Sequence, residues 1–435
     1  SARGAVVLID PKGDRDFLAR CATEARRQGK PFALFTPAFL QQSVTMNPLD
    51  TCMTPEEVSA RIRALMPSAG ARPTDPFFEE YPLALIERLA SAQQALGIPW
   101  TLEGLYTVSV LEHHTERLLH AYLALLGTPD RGKGLKAHIG EYRKSGVEDL
   151  IADALIEDSQ RPRDHFLKIT ANLIPAFRGV VGGLLGPLFT IQPDGLTWGR
   201  IGSEGMVVYL SLASMLLGDI ANRIGRVFLQ DLIGFLGRKY AFEDPAMMQP
   251  ITVLIDEMGA VTYPGFVEAL NKARGANCRM VLAGQSFSDL DAAMGEVQTR
   301  RVLDNSNCRV VMRLADDTTA AQVSEGLGSC TVRLPDTGVA VSYGGVGGLS
   351  GSSRRSLLGK ETPLMRPQWL MALPRGEAVV RTKGEVFKLH VPLLEPVSPA
   401  ALEATGLTAM WAAMAPHAVD NPHEEEETCL YDEDC

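Results

Sequence analysis

The sequence has no uncharged apolar run as long as the ~18 residues that a membrane-spanning helix needs. Gly179–Pro193 is interrupted by four glycines and two prolines, and Gly205–Gly218 is too short, so both read as buried core. The start shows no signal-peptide pattern. No CxxC pair occurs. The seven cysteines (Cys21, Cys52, Cys278, Cys308, Cys330, Cys429 and Cys435) are odd in number and scattered. This argues against a disulfide framework and a zinc ribbon, and it fits a reducing cytoplasm. There is no GxGxxG, which weakens a dinucleotide oxidoreductase reading. There is also no GxxxxGK[ST]. Gly182–Gly186 is followed by Pro187 and Gly359-Lys360 by Glu361, so neither cluster can wrap a phosphate and present a lysine and a hydroxyl.

What is present is ordinary globular material. Of 435 residues, 46% are hydrophobic and 22% charged, which excludes a disordered or fibrous chain. At ~150 residues per domain the length suggests two or three domains, or one large α/β unit with an insertion. The net charge of −10 is uneven. Glu424 to Cys435 hold seven acids and no base, so the rest of the chain carries −3.

Five apolar runs read as buried parallel strands: Ala5–Ile9, Met206–Leu212, Ile251–Ile255, Arg279–Ala283 and Arg309–Arg313. They lack polar alternation, as strands covered on both faces do. Helical patterns follow at Phe17–Gln28, Ala213–Lys239 and Gly265–Arg274, which argues for a doubly wound α/β fold. Residues 75–195 have a different, almost wholly helical texture. Val147, Leu150, Ile151, Ala154 and Leu155 are spaced as one helix face, and Leu105, Val108, Leu111, Leu118, Tyr122 and Leu126 as another. Gly344–Ser353 reads as a Gly/Ser loop. Ala378–Val380 and Val386–Leu389 read as a last hairpin.

The strongest chemical signal is Ile251-Thr252-Val253-Leu254-Ile255-Asp256-Glu257. An apolar strand ending in Asp-Glu is the Walker B arrangement. The first acid holds Mg²⁺ through water, and the second orients or deprotonates the attacking water. Two solvated acids capping a strand would look the same. The next strand runs into Gly284-Gln285-Ser286, where Gln285 is placed as a polar sensor or as the cap of the next helix. Arg274 ends the intervening helix, with Gly275 as its expected C′ residue. It reads as an arginine finger or as a cation stabilised at a helix C-terminus. The first strand ends in Asp10-Pro11-Lys12-Gly13-Asp14.

Taken in order, DPKGD, Phe35-Thr36-Pro37, Asn47-Pro48-Leu49, the helical insertion, VLIDE, Arg274–Gly275, AGQS, Asn305–Cys308, Ala315-Asp316 and Leu373–Glu377 resemble the TraG/TraD family of conjugative coupling proteins. The resemblance runs from about Val6 to Leu394. It implies an α/β, RecA-like P-loop NTPase fold with an inserted all-α domain. The expected division is residues 1–74 and 196–400 for the RecA-like part, 75–195 for the insertion and 401–435 for an acidic tail. It implies a hexameric, DNA-dependent ATPase at the cytoplasmic face of the bacterial inner membrane, with ATP and Mg²⁺ as cofactors. Such a motor links a relaxase–single-stranded DNA complex to a type IV secretion channel. It further implies that Asp256 is the Mg²⁺ residue, Glu257 the catalytic base, Gln285 a sensor and Arg274 a finger acting on a neighbouring subunit. The family's P-loop precedes its DPKG strand, so the chain is expected to be a soluble cytosolic fragment, weak in ATP binding and turnover by itself. The alternative is a nucleotide-independent recruitment platform.

Other features are weaker. Arg131, Lys133, Lys136, Arg143, Lys144, Arg161 and Arg163, and also Arg354–Arg355, are candidate DNA contacts, but acids are interleaved with the first set. His113 and His114 lie near Glu112 and Glu116, with His120 further along, which could be written as a metal cluster, yet the adjacent pair diverges by about 100° on a helix and no other ligand is identifiable, so it reads as a helix-surface pair. Leu430 and Tyr431, embedded in the acidic tail, read as a docking peptide for an accessory protein or as a solubilising end.

Overall fold

The computed structural model describes residues 4–66, 76–130, 132, 134–183, 185–263, 265–344 and 348–414. Strands β1 (Ala5–Asp10), β2 (Phe32–Phe35), β3 (Val207–Ser211), β4 (Ile251–Ile255) and β5 (Cys278–Leu282) form one parallel sheet, ordered β2-β3-β1-β4-β5. In register, Ile9 lies between Leu210 and Ile255, and Ile255 lies beside Leu282. The loops after β1, β4 and β5 therefore leave the sheet from one edge.

Four of the expected strands lie in this sheet. The fifth member is Phe32–Phe35, which is too short to stand out in the sequence. The run expected at Arg309–Arg313 is β6 (Cys308–Val311), and it belongs to a separate antiparallel sheet with β9 (Glu377–Thr382) and β10 (Glu385–His390). The expected last hairpin is β9–β10. The Gly/Ser loop is a correction. Ser329–Gly344 (β7) and Gly348–Pro363 (β8) form one long hairpin, and Gly351, Ser352 and Ser353 pair with Val341, Ala340 and Val339. Glycine and serine are poor strand formers alone, but a β-branched partner strand supplies the ladder.

Both faces are covered at β1, β2 and β3, which accounts for their unalternating burial, whereas β5 at the end of the sheet is open on the face that carries Val281. On one face, α1 (Arg15–Arg27) and the helix Leu407–Met414 pack over Leu8, Leu34, Val207 and Tyr209. On the other lie α2 (Pro55–Leu65), α3 (Pro76–Ala95), α4 (Leu102–Val110) and the helices Leu173–Val180, Asp219–Phe242 and Phe266–Ala273. Phe35 meets Phe228 edge-on at 4.8 Å, with both rings fully buried. Each such ring contributes about 1.5–3 kcal/mol.

Further helices are α5 (Glu112–Leu125), α6 (Leu135–Ser145), α7 (Leu150–Ser159), α8 (Arg163–Ile169), α9 (Leu173–Val180), α10 (Trp198–Glu204), α11 (Ser214–Leu217), α12 (Asp219–Phe242), α13 (Met258–Val261) and α14 (Phe266–Ala273). The helical stretch has a core of its own, built by Leu85, Leu89, Leu119, Leu123, Ile139, Leu155 and their neighbours. It is not cleanly set apart, because Leu83, Ile86 and Ala90 on α3 and Leu173 and Phe177 on α9 belong to the main core.

Both expected stripes are corrected. Asp149 caps α7 by accepting from the Ala152 N–H at 2.8 Å, so the helix starts at Leu150. Val147 precedes it, Leu150 is 89% exposed, and the buried face is Ala152, Leu155 and Ile156. The other stripe spans two helices, because the chain is extended at Leu111. The expected helix Ala213–Lys239 is likewise two, α11 and α12, broken at Gly218.

Candidate active site

The site begins with a loop that folds around its own acid. Asp10 is fully buried at the end of β1. Its Oδ1 accepts the N–H groups of Lys12 and Gly13, both at 2.9 Å. Its Oδ2 accepts the Asp14 N–H at 2.6 Å and the Tyr209 hydroxyl at 2.5 Å. Burial beside this carboxylate raises the Tyr209 phenol. Asp10 is thus consumed by the loop and offers no oxygen to a ribose. The next residue but one, Lys12, is turned toward the neighbouring strand end.

There β4 stops at Ile255, and the Asp256 N–H donates to the Ile9 carbonyl at 3.0 Å. Glu257 adopts a left-handed backbone, φ 41° and ψ 54°. That conformation is uncommon for a residue with a side chain and clusters at functional sites. The Glu257 carboxylate is held from both sides. Lys12 pairs with Oε1, and the Gln285 side-chain amide donates to the same oxygen at 2.5 Å. The hydrogen bond to Glu257 is the main reason the Lys12 ammonium lies above its ordinary value. Asp256 Oδ1 accepts the Glu257 N–H at 3.0 Å, and its other oxygen has no partner among the described residues.

The structure therefore brings Asp256, Glu257 and Gln285 together. Gln285 is not the cap of the following helix. Ser286 is, accepting the Asp289 N–H. Lys12, from the DPKGD run, joins this group through Glu257. Its signal was a lysine two positions beyond a strand end in a chain whose Walker B strand pairs with that strand.

Arg274 is not brought to this edge. It is exposed, directly after α14 and four residues before β5. A five-residue strand separates it from the acids, about 13 Å at the usual rise. Gly275 is not a left-handed C′ residue. Asn277 has the positive φ instead, 52°. Gly275 is small because the Tyr240 ring lies against it, and a Cβ would sit 2.3 Å from Cε2.

The basic candidates are scattered. Arg161 pairs with Glu157 and Asp158, Lys144 pairs with Glu141, and Arg163 donates to the Val110 carbonyl. Lys136 and Arg143 are exposed on α6. Arg131, Lys133 and the acidic tail lie outside the described residues, as do the side chains of Arg354 and Arg355. His113 and His114 are a surface pair, their rings 4.1 Å apart.

No helix among the described residues is long and apolar enough to cross a membrane. Residues 250–375 match the family described as the TraM recognition site of TraD and TraG. No curated protein matches the chain. Among solved structures, the unbound bacterial conjugative coupling protein TrwBdeltaN70 is 15% identical with a TM-score of 0.54, over 92% of this chain and 88% of that one. The plasmid coupling protein TrwB in complex with ADP and Mg²⁺ is 13% identical with a TM-score of 0.55, over 92% and 87%. A TrwB complex with a non-hydrolysable ATP analogue is 14% identical with a TM-score of 0.54, over 92% and 88%. These likenesses establish the RecA-like fold with its all-α part. Beyond the fold, residues 250–375 are similar to the TraM recognition site of TraD and TraG.

Proposed function

We propose that the chain is the cytosolic motor portion of a conjugative coupling protein. In this reading ATP hydrolysis drives a relaxase–single-stranded DNA complex into a type IV secretion channel, at the cytoplasmic face of the inner membrane. The observation that carries it is the convergence of Asp256, Glu257, Gln285 and Lys12 where β1, β4 and β5 leave one sheet edge. Packing does not demand two acids, an amide and a lysine there, and still less a left-handed glutamate.

The donor set fits Mg²⁺. Asp256 offers a free carboxylate oxygen at a strand edge, the hard ligand that this ion takes, usually through its waters. When bound, the ion neutralises phosphate charge. Glu257 is the base that takes the proton of the attacking water at its carboxylate. Gln285 and Lys12 fix that carboxylate. The phosphate cradle itself is not in this sequence. In this reading it adds beside β5, the last strand of the sheet. Arg274, far from the acids of its own chain, is the finger for the next subunit of a homo-hexamer. The description of the matched region supports recognition of a TraM-like accessory protein by residues 250–375. The acidic tail is the second candidate for such docking.

The test uses the protein joined to a strand–GxxxxGK[ST]–helix unit. Glu257→Gln is expected to lower DNA-stimulated ATP hydrolysis by about 10²–10⁴-fold with nucleotide binding retained. Hydrolysis at the parent rate would remove Glu257 from the role of base. The missing P-loop favours one other reading, a recruitment platform that works without nucleotide. Substrate binding indifferent to both nucleotide and Asp256→Ala would establish that reading instead.

A further inference from the structure

Three side chains that the nucleotide site does not use converge at the turn between α5 and α6. His120 on α5, Asp130 in the connecting loop and His138 on α6 each present one ligand atom, all within 4.8 Å of one another. His138 is buried, His120 is partly buried and Asp130 is exposed. Nδ1 of His120 and Nδ1 of His138 face each other at 2.9 Å. Asp130 Oδ2 lies 3.8 Å from the same His120 nitrogen, while its Oδ1 accepts the Gly132 N–H at 2.9 Å.

The hydrogen bonds around His138 fix its tautomer. The Thr128 hydroxyl donates to the Leu123 carbonyl, so its oxygen can only accept from the ring. Nε2 of His138 lies 2.9 Å from that oxygen and 3.1 Å from the Thr128 carbonyl, so Nε2 carries the proton. Nδ1 is then a lone pair aimed at His120. A backbone carbonyl holding the far nitrogen of an imidazole is the usual outer-shell support of a metal-binding histidine.

We propose that His120, His138 and Asp130 form a site for one divalent cation of the zinc class, which staples α5 to α6. Two imidazoles and a carboxylate suit Zn²⁺ and its Co²⁺ analogue, whereas Mg²⁺ takes oxygen ligands. Two nitrogens 2.9 Å apart subtend about 90° at an ion about 2.05 Å from each, and a tetrahedral angle needs about 0.4 Å more. The partly exposed His120 can supply that movement. Binding requires the His120 proton to sit on Nε2, which leaves both Nδ1 lone pairs on the ion. The exposed side, beyond Asp130, leaves the fourth position to water. The site is independent of the nucleotide reading.

The experiment is a Co²⁺ titration of the untagged, chelator-stripped full chain in excess Mg²⁺, followed by visible absorption. One equivalent of nitrogen-ligated Co²⁺, displaced by Zn²⁺, is expected. His138 is buried and its loss risks the fold, so the variants are His120→Gln and Asp130→Asn, checked by circular dichroism. His120→Gln is expected to weaken binding by more than about 10-fold, since even loss of an outer-shell partner costs that much. Asp130→Asn is expected to weaken it as well, and the double variant His113→Gln, His114→Gln to leave it unchanged. Absence of a visible band, or a band that survives His120→Gln, would reduce the cluster to a hydrogen-bonded histidine pair and overturn the proposal.

Discussion

Two loops leave neighbouring parallel strands at the same sheet edge, and they use their acids in opposite ways. After β1, Asp10 is buried and every oxygen is taken by its own loop or by Tyr209. The left-handed position of that loop falls on Gly13, φ 81°, where a Cβ would sit 2.8 Å from Ser211 Oγ. After β4, the left-handed position falls on Glu257 itself, φ 41°. Its carboxylate is not used by the backbone. It is held by Lys12, from the first loop, and by Gln285. A left-handed residue with a side chain costs about 1–2 kcal/mol relative to the right-handed form. The first loop is built for stability, with glycine where strain would arise. The second accepts strain to aim a carboxylate, and the first supplies the lysine that steadies it.

The sharpest way to break this comparison is to remove the two acids in turn. Asp10→Ala leaves three backbone N–H groups without their acceptor and the Tyr209 hydroxyl with only the Asp14 carbonyl, 3.4 Å away. Each unsatisfied buried group costs about 1–3 kcal/mol, so a loss of more than about 3 kcal/mol is expected. Glu257→Gln removes one half-exposed ion pair, and such pairs contribute about 0–1 kcal/mol. Denaturant unfolding of the two variants measures both effects. If Asp10→Ala unfolded at the same midpoint as Glu257→Gln, the division of labour between the loops would be wrong.

A third acid sharpens the contrast, because it is buried without Asp10's backbone donors. Asp231 on α12 accepts from Trp198 Nε1 at 2.6 Å and from the Thr51 hydroxyl. Arg61 stands 3.7 Å away, and its Nε makes no hydrogen bond. Burial outweighs these partners and raises the carboxyl from 3.8 to about 6. The folded chain therefore holds this proton up to about pH 6, whereas the unfolded chain releases it near 3.8. The associated stability is fully present below the lower value, falls as pH rises between the two by up to about 3 kcal/mol, and is absent above. The difference in unfolding free energy between the parent and Asp231→Asn, followed from pH 4 to pH 7, isolates this group. A flat difference would mean that Arg61 neutralises Asp231 after all.

The same contrast shows what a sequence can carry. VLIDE and AGQS exposed Asp256, Glu257 and Gln285 because an apolar strand ending in acids, beside one ending in an amide, is a local pattern. The ion pair of Lys12 was hidden because its partner lies 245 positions along the chain, and only the pairing of β1 with β4 brings them together. In the sequence His120 groups with His113 and His114, but its partners in space, Asp130 and His138, come from a loop and another helix. Short or polar strands escaped too. Phe32–Phe35 has four residues, and Gly348–Ser353 is strand only because Val339–Gly344 pairs with it. The helix faces were misjudged where capping decided the phase. Asp149 starts α7, and counting from Val147 ran through a segment that is not helical. Strand-end chemistry is local and legible, whereas tertiary pairing and helix phase are set by contacts a linear pattern does not contain.

The smallest effect tests the strain directly. At most positions replacing a side chain by glycine is worse than replacing it by alanine, because glycine loses more freedom on folding. At Glu257 the order should invert. Glu257→Gly and Glu257→Ala both lose Lys12 and Gln285 as partners, so the difference between them reports the backbone alone. With φ 41° and ψ 54° at this residue, the glycine variant is expected to be more stable than the alanine variant by about 1 kcal/mol. Paired thermal and denaturant unfolding reads that difference. An alanine variant equal to or better than glycine would show that the turn relaxes without cost. Glu257 would then hold its place by its ion pair alone, and the strain would have no part in aiming the carboxylate.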